Sequence, residues 1–166
     1  GSLFVKNAKR SFITKLQQWD YTLGIFGVKL VQGGYNSTLV AQGAFSAYKT
    51  QLVREIGGWQ DCVGEDIVLT WQLLSKGYKT NFAKNAVAFT EVPENLRSLG
   101  KQRKRWARGM IEAFKRVKVY TSKKMNFKSK FLMSLNIFFP FTDLALLIFV
   151  PLGLILLAFC NPLLIG

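Results

Sequence analysis

Pro93-Glu94-Asn95-Leu96-Arg97-Ser98-Leu99-Gly100-Lys101-Gln102-Arg103-Lys104-Arg105-Trp106-Ala107-Arg108-Gly109 is the stretch on which the reading of this chain turns. Its apolar positions Leu99 and Trp106 continue at Met110, Ala113, Phe114 and Val117, the spacing of one helix face. Arg and Lys surround that face, and a basic amphipathic helix of this kind is suited to a membrane interface. Gln102, Arg105 and Trp106 stand at i, i+3 and i+4, so their side chains project from neighbouring positions. Arg offers planar donors matched to phosphate oxygens, Gln adds a neutral donor, and the indole offers a flat face for a sugar ring or a membrane edge. Two readings stay open here: a site that stabilises charge on a departing diphosphate, and a lipid-facing basic helix with no catalytic part.

The wider composition narrows the classes. The 166 residues carry a formal charge of +14, 49% hydrophobic residues and 14 Phe. Thirteen of the Lys and Arg lie between Arg97 and Lys130 against one acid, Glu112. That block abuts an apolar run, which favours a membrane surface over nucleic acid, and no nucleic-acid recognition motif accompanies it. Histidine is absent, which removes Ser-His triads and imidazole bases. Cys62 and Cys160 are isolated, so neither a disulfide framework nor a metal-ligand spacing is present.

Ahead of the basic helix, strands and helices alternate as in half of an α/β domain. Residues 3–10 read as a short strand or arm. Ser11 is set to cap a helix whose apolar positions are Phe12, Leu16, Trp19, Leu23, Phe26 and Leu30, with Gly33-Gly34 as the stop. On that pattern Trp19 and Tyr21 are expected in the core. A strand over 38–41, a helix over 50–56 and strands over 78–83 and 86–90 are expected around a helix over 64–76. Ile67, Val68, Trp71 and Leu74 supply the buried stripe of that helix, and Gly77 its C-terminal cap. Behind the basic helix, 123–130 reads as a basic linker, 131–139 as an interfacial lead-in, and 141–160 as a tilted membrane span. The organisation expected is therefore 1–92, 93–130 and 131–166.

Glu65 and Asp66 open the helix over 64–76 beside the small-residue loop Gln42-Gly43-Ala44. A carboxylate placed there could take a proton from a sugar hydroxyl. On this motif alone the plainer reading is N-terminal helix charge, worth about 0.3–1 kcal/mol. Small residues in the loop allow close approach by a ligand or simply by another backbone.

The order of these features, Gly64-Glu65-Asp66 opening a helix and then Gln102 to Gly109 ahead of a span, resembles the membrane-embedded, processive family 2 glycosyltransferases. These are the cellulose, chitin, hyaluronan and poly-N-acetylglucosamine synthases. The resemblance implies a partial GT-A, Rossmann-like domain followed by interface helices and a transmembrane helix. It also implies inverting transfer from a nucleoside-diphosphate sugar, UDP-N-acetylglucosamine or a related UDP-hexose, to a growing β-linked polysaccharide. Carried over by position, Asp66 is the general base supported by Glu65, and Gln102, Arg105 and Arg103 hold the diphosphate. Trp106 stacks on the acceptor, and Gln42, Gly43 and Ala44 contact it. Gly64 stands where many relatives have Thr.

The family's Mg²⁺ or Mn²⁺ site is an Asp-x-Asp, and no Asp-x-Asp occurs here. The resemblance therefore places the metal ligands in an upstream half, and residues 1–166 alone are expected to be inactive. It further implies a polysaccharide acceptor, a lipid bilayer and accessory membrane subunits as partners, and a plasma (inner) membrane location with the catalytic part cytoplasmic. The competing expectation is a non-catalytic basic module that binds a membrane surface.

Overall fold

The computed structural model describes residues 1–135 together with 149, 152–153 and 155–156. The chain divides into two units, residues 1–130 and 131–166. The first is mixed α/β, with elements β1 (Ser2–Val5), α1 (Phe12–Asp20), a π-helical segment (Tyr21–Gly27), α2 (Val28–Gly34), α3 (Thr50–Glu55), α4 (Glu65–Ser75), β2 (Val87–Thr90) and α5 (Leu96–Arg116). A 3-10 turn (Val119–Thr121) follows α5.

β1 and β2 form a parallel pair in the register Ser2 to Val87 through Val5 to Thr90. Parallel partners distant in sequence need a long crossover, and here the whole run of helices from α1 to α4 supplies it. Leu3, Val5 and Ala8 gather with Tyr21 and Val92 into a small core, with Trp106 packed against its edge.

The helix expected from Ser11 to Gly33-Gly34 is present as α1, the π segment and α2 in succession. A reciprocal cap starts it: the Thr14 N–H donates to Ser11 Oγ at 3.2 Å, and the Ser11 N–H donates to Thr14 Oγ1 at 2.9 Å. Its orientation is the reverse of the apolar pattern. Phe12, Leu16, Trp19, Leu23 and Leu30 are exposed, whereas Thr14, Gln17, Tyr21, Lys29 and Gln32 are buried. Trp19 is 70% exposed, which corrects its expected place in the core; Tyr21 is buried as expected.

The physical reason is hydrogen-bond demand from neighbouring backbone. Gln17 Nε2 donates to the Pro93 carbonyl at 2.7 Å, and Thr14 Oγ1 donates to that of Ala8 at 3.0 Å. Gln32 Oε1 accepts from the Leu39 N–H at 3.1 Å. Polar side chains serve those groups, so the apolar stripe turns outward.

The strands expected over 38–41 and 78–83 are replaced by one isolated bridge, Ser37 to Thr80. The N–H groups of Leu39, Ala41 and Gly43 bond to the side chains of Gln32, Thr70 and Asp66 and leave no ladder for a neighbouring strand. α4 buries Ile67, Val68, Trp71 and Leu74 as expected. Its end is closed by Gly77 at φ +89, with Gly77 N–H donating to Leu74 O and Tyr78 N–H to Leu73 O.

α5 buries Gly109 and Ala113 and sets Trp106, Met110 and Phe114 half-buried on the same face. The basic stretch 123–130 is not a plain linker, because a helix begins at 127 and Met125 is buried. In the second unit 131–135 is helical, as are 149, 152–153 and 155–156. Among the described residues no helix is long and apolar enough to cross a membrane. The span expected over 141–160 lies, apart from those five positions, outside the described residues.

Candidate active site

The chain from Leu39 to Gly43 is stapled to α4 by three hydrogen bonds. Trp71 Nε1 donates to Leu39 O at 3.0 Å, the Ala41 N–H to Thr70 Oγ1 at 3.0 Å, and the Gly43 N–H to Asp66 Oδ2 at 2.9 Å. Tyr48 Oη closes the loop by donating to Ala41 O at 3.0 Å. Each side chain comes from the first two turns of α4 or from the far end of the loop. The geometry therefore follows once α4 is placed.

Asp66 sits in the first turn of α4, where helix N–H groups favour a carboxylate. Its Oδ1 accepts the Ile67 N–H at 2.9 Å. A Cβ built on Gly43 would lie 3.6 Å from Asp66 Oδ2 and 3.7 Å from Glu65 Oε1, so both acids flank this one glycine. The structure thus brings Gly43, Glu65 and Asp66 together. Gln42 Oε1 nearby is shielded from solvent and accepts nothing from the described residues. Ala44 is exposed beyond it.

α5 is fixed against the start of α4 by backbone-to-backbone contact. A Cβ on Gly64, which has φ +83, would lie 2.7 Å from the Gly109 Cα. The Val63 N–H also donates to Glu112 Oε2 at 3.1 Å, and Trp71 meets Phe114 edge to face at 4.6 Å. Glycine at position 64 is thereby explained: the position needs a left-handed conformation and has no room for a side chain.

One and two turns up α5 from that contact lie Arg105 and Gln102. Arg105 is exposed and, among the described residues, has no ion-pair partner. Gln102 Oε1 is buried without a hydrogen bond. No hydrogen bond or ion pair joins either residue to Glu65 or Asp66 among the described residues. Arg103 is engaged elsewhere, paired with Asp20 and lying 4.7 Å from the centroid of the Trp106 ring. It therefore lies over the indole, which also packs against the core that holds Tyr21.

Lys29 escaped the sequence reading. It is 8% exposed, with no carboxylate in ion-pair contact among the described residues. Burial pushes its ammonium down to about 7, and the charge of Asp66 opposes that shift. The only advance signal was its place in the polar stripe Thr14, Gln17, Tyr21 that turned out to face inward.

A folded pKa below the unfolded one means that the cost of charging is full below pH 7 and vanishes as pH rises toward 10.5. Lys29→Met is accordingly expected to stabilise the full-length protein at pH 6 by on the order of 3 kcal/mol. The gain should fade toward pH 10 in thermal unfolding followed across pH. A gain independent of pH would contradict this account.

The described residues contain no group of three or more His, Cys, Asp or Glu able to hold a metal ion. Both oxygens of Asp66 already accept backbone N–H groups. These residues do not fit a divalent cation site.

Comparison with known proteins identifies the family. The model described as glycosyl transferase family group 2 matches residues 1–166. The poly-beta-1,6-N-acetyl-D-glucosamine synthase of Staphylococcus aureus (strain COL) is 33% identical over 134 residues, covering 80% of this chain and 32% of that protein. The Staphylococcus epidermidis (strain RP62A) protein of the same name is 31% identical over 117 residues, covering 70% of this chain and 28% of that protein. The chain spans about a third of the length of these relatives. With its whole length matched and a carboxylate-bearing helix stapled to a small-residue loop, this chain belongs to glycosyl transferase family group 2.

Proposed function

We propose that this chain is part of an inverting, membrane-bound glycosyltransferase with a GT-A catalytic domain. It moves N-acetylglucosamine, or a related hexose, from a UDP-sugar to a growing β-linked polysaccharide. The observation that carries the proposal is the hydrogen bond from the Gly43 N–H to Asp66 Oδ2, which fixes a carboxylate at a helix start against a loop open to solvent. In the reaction an acceptor hydroxyl oxygen bonds to the anomeric carbon as the bond from that carbon to the diphosphate oxygen breaks. The diphosphate leaves with the bonding electron pair, and the hydroxyl proton passes to Asp66. Glu65 stands beside the base, since both acids flank Gly43.

Arg105 is the candidate to meet the departing diphosphate, since its guanidinium is exposed and unpaired among the described residues. Gln102 lies one turn away on the same face. Trp106, with Arg103 beside its ring, is the candidate to stack on the acceptor. A divalent cation, implied by the family, would draw its ligands from outside residues 1–166.

Contact with a bilayer is supported by the basic face of α5 and by the outward stripe Phe12, Leu16, Trp19 and Leu23. On this reading the protein is anchored in the plasma (inner) membrane with its catalytic part on the cytoplasmic side, and accessory membrane subunits are further candidate partners. In the full-length protein, Arg105→Ala is expected to lower polymer formation from UDP-N-acetylglucosamine by about 10²-fold. Neutralising the lysines of 123–130 should cost far less. The opposite ranking would favour a non-catalytic membrane-binding module.

A further inference from the structure

Beside the carboxylates lies a cavity of about 710 Å³ that nothing so far uses. Its lining includes Gly43, Tyr48, Arg54, Gly58 and Trp59, and none of it comes from α5. Gly43 is shared: its N–H holds Asp66 while its open side borders the cavity. The volume is in the range of pockets that take whole small ligands.

The lining suits a sugar ring. Trp59 is 57% exposed, and Tyr48 braces it edge to face with centroids 5.7 Å apart. Tyr48 is itself tied to the Ala41 carbonyl in the loop that binds Asp66, so the indole is held relative to the base. Arg54 has no carboxylate partner among the described residues. Gly57 and Gly58 turn through φ +88 and +81, and a Cβ on either would meet nothing within 4 Å, so this wall is open. A flat aromatic face, a fork of N–H donors and the loop hydroxyl of Ser46 together match the apolar face and the hydroxyl rim of a pyranose.

We propose that this cavity is a saccharide subsite in which a ring of the acceptor chain stacks on Trp59 beside the ring whose hydroxyl faces Asp66. This rests on the transferase reading above. The acceptor is assigned here because the base must touch an acceptor hydroxyl, and the cavity adjoins the base through Gly43 rather than through the helix carrying Gln102 and Arg105.

The test is calorimetric titration of the detergent-solubilised full-length protein with a β-1,6-linked N-acetylglucosamine pentasaccharide. Trp59→Ala is expected to weaken binding about tenfold and Trp59→Phe less than threefold, about what loss or retention of an aromatic face is worth. Thermal unfolding of both variants should match the wild type. Unchanged pentasaccharide binding by Trp59→Ala, or a wild type that does not bind the probe, overturns the subsite. So does a variant whose defect is confined to the KM for UDP-N-acetylglucosamine. Polymer formation by the wild type, measured in parallel, judges the transferase reading separately: Trp59-dependent binding without polymer would overturn that reading and leave the saccharide site standing.

Discussion

Gly64→Ala is expected to destabilise the full-length protein by on the order of 2–5 kcal/mol, enough to abolish activity at 37 °C in a marginally stable domain. Two effects add at this position. An alanine at φ +83 is strained in itself, and its Cβ would fall 2.7 Å from the Gly109 Cα, where only backbone could yield. Gly109→Ala is the milder partner. Its Cβ would meet Val63 O at 3.1 Å and Gly64 Cα at 3.0 Å, a contact that a few tenths of an ångström can relieve.

Because one small separation of α4 from α5 relieves both clashes, the double variant should lose less than the sum of the two. Thermal unfolding of the three variants in detergent measures this. Equal stability of Gly64→Ala and wild type would show that the two helices do not meet backbone to backbone.

Asp66→Asn is expected to lower polymer formation by about 10³-fold, within the span of losses seen when a general base is removed. The fold should survive, because the asparagine carbonyl can still accept the Gly43 N–H. The Ile67 N–H, which loses its acceptor in that rotamer, keeps the Gly64 carbonyl at 3.0 Å. Loss of activity with unchanged thermal unfolding therefore isolates basicity from structure. Glu65→Gln, which removes a neighbouring charge and not the base, should cost far less.

What could be read in the sequence was what local chemistry decides. Ser11 as a cap, Gly77 after α4, and the apolar face of α5 each declare themselves within a few residues, and each appears where expected. The pairing of the Gln42–Ala44 loop with Glu65 and Asp66 was suggested by small residues and by acids at a helix start, and the hydrogen bond from the Gly43 N–H to Asp66 joins them. What could not be read depends on partners far along the chain.

The helix from Phe12 to Gly34 shows an apolar stripe, yet backbone carbonyls at Ala8 and Pro93 and the Leu39 N–H recruit its polar face inward. The stretch 38–41 has strand-like composition, but its N–H groups are claimed by Thr70 and Gln32. Lys29 and Trp59 gave no signal by themselves: Lys29 feels the charge of Asp66 from far along the chain, and Trp59 meets Tyr48 only once the intervening α3 has folded.

The most direct measurement of the central claim follows label from UDP-[¹⁴C]N-acetylglucosamine into polymer, using membranes holding the full-length protein with Mg²⁺ or Mn²⁺. Wild type and Asp66→Asn are compared at matched expression. The account predicts label in a polymer that β-N-acetylhexosaminidase degrades, and near-complete loss of that label in Asp66→Asn. Equal incorporation by the two proteins would contradict it.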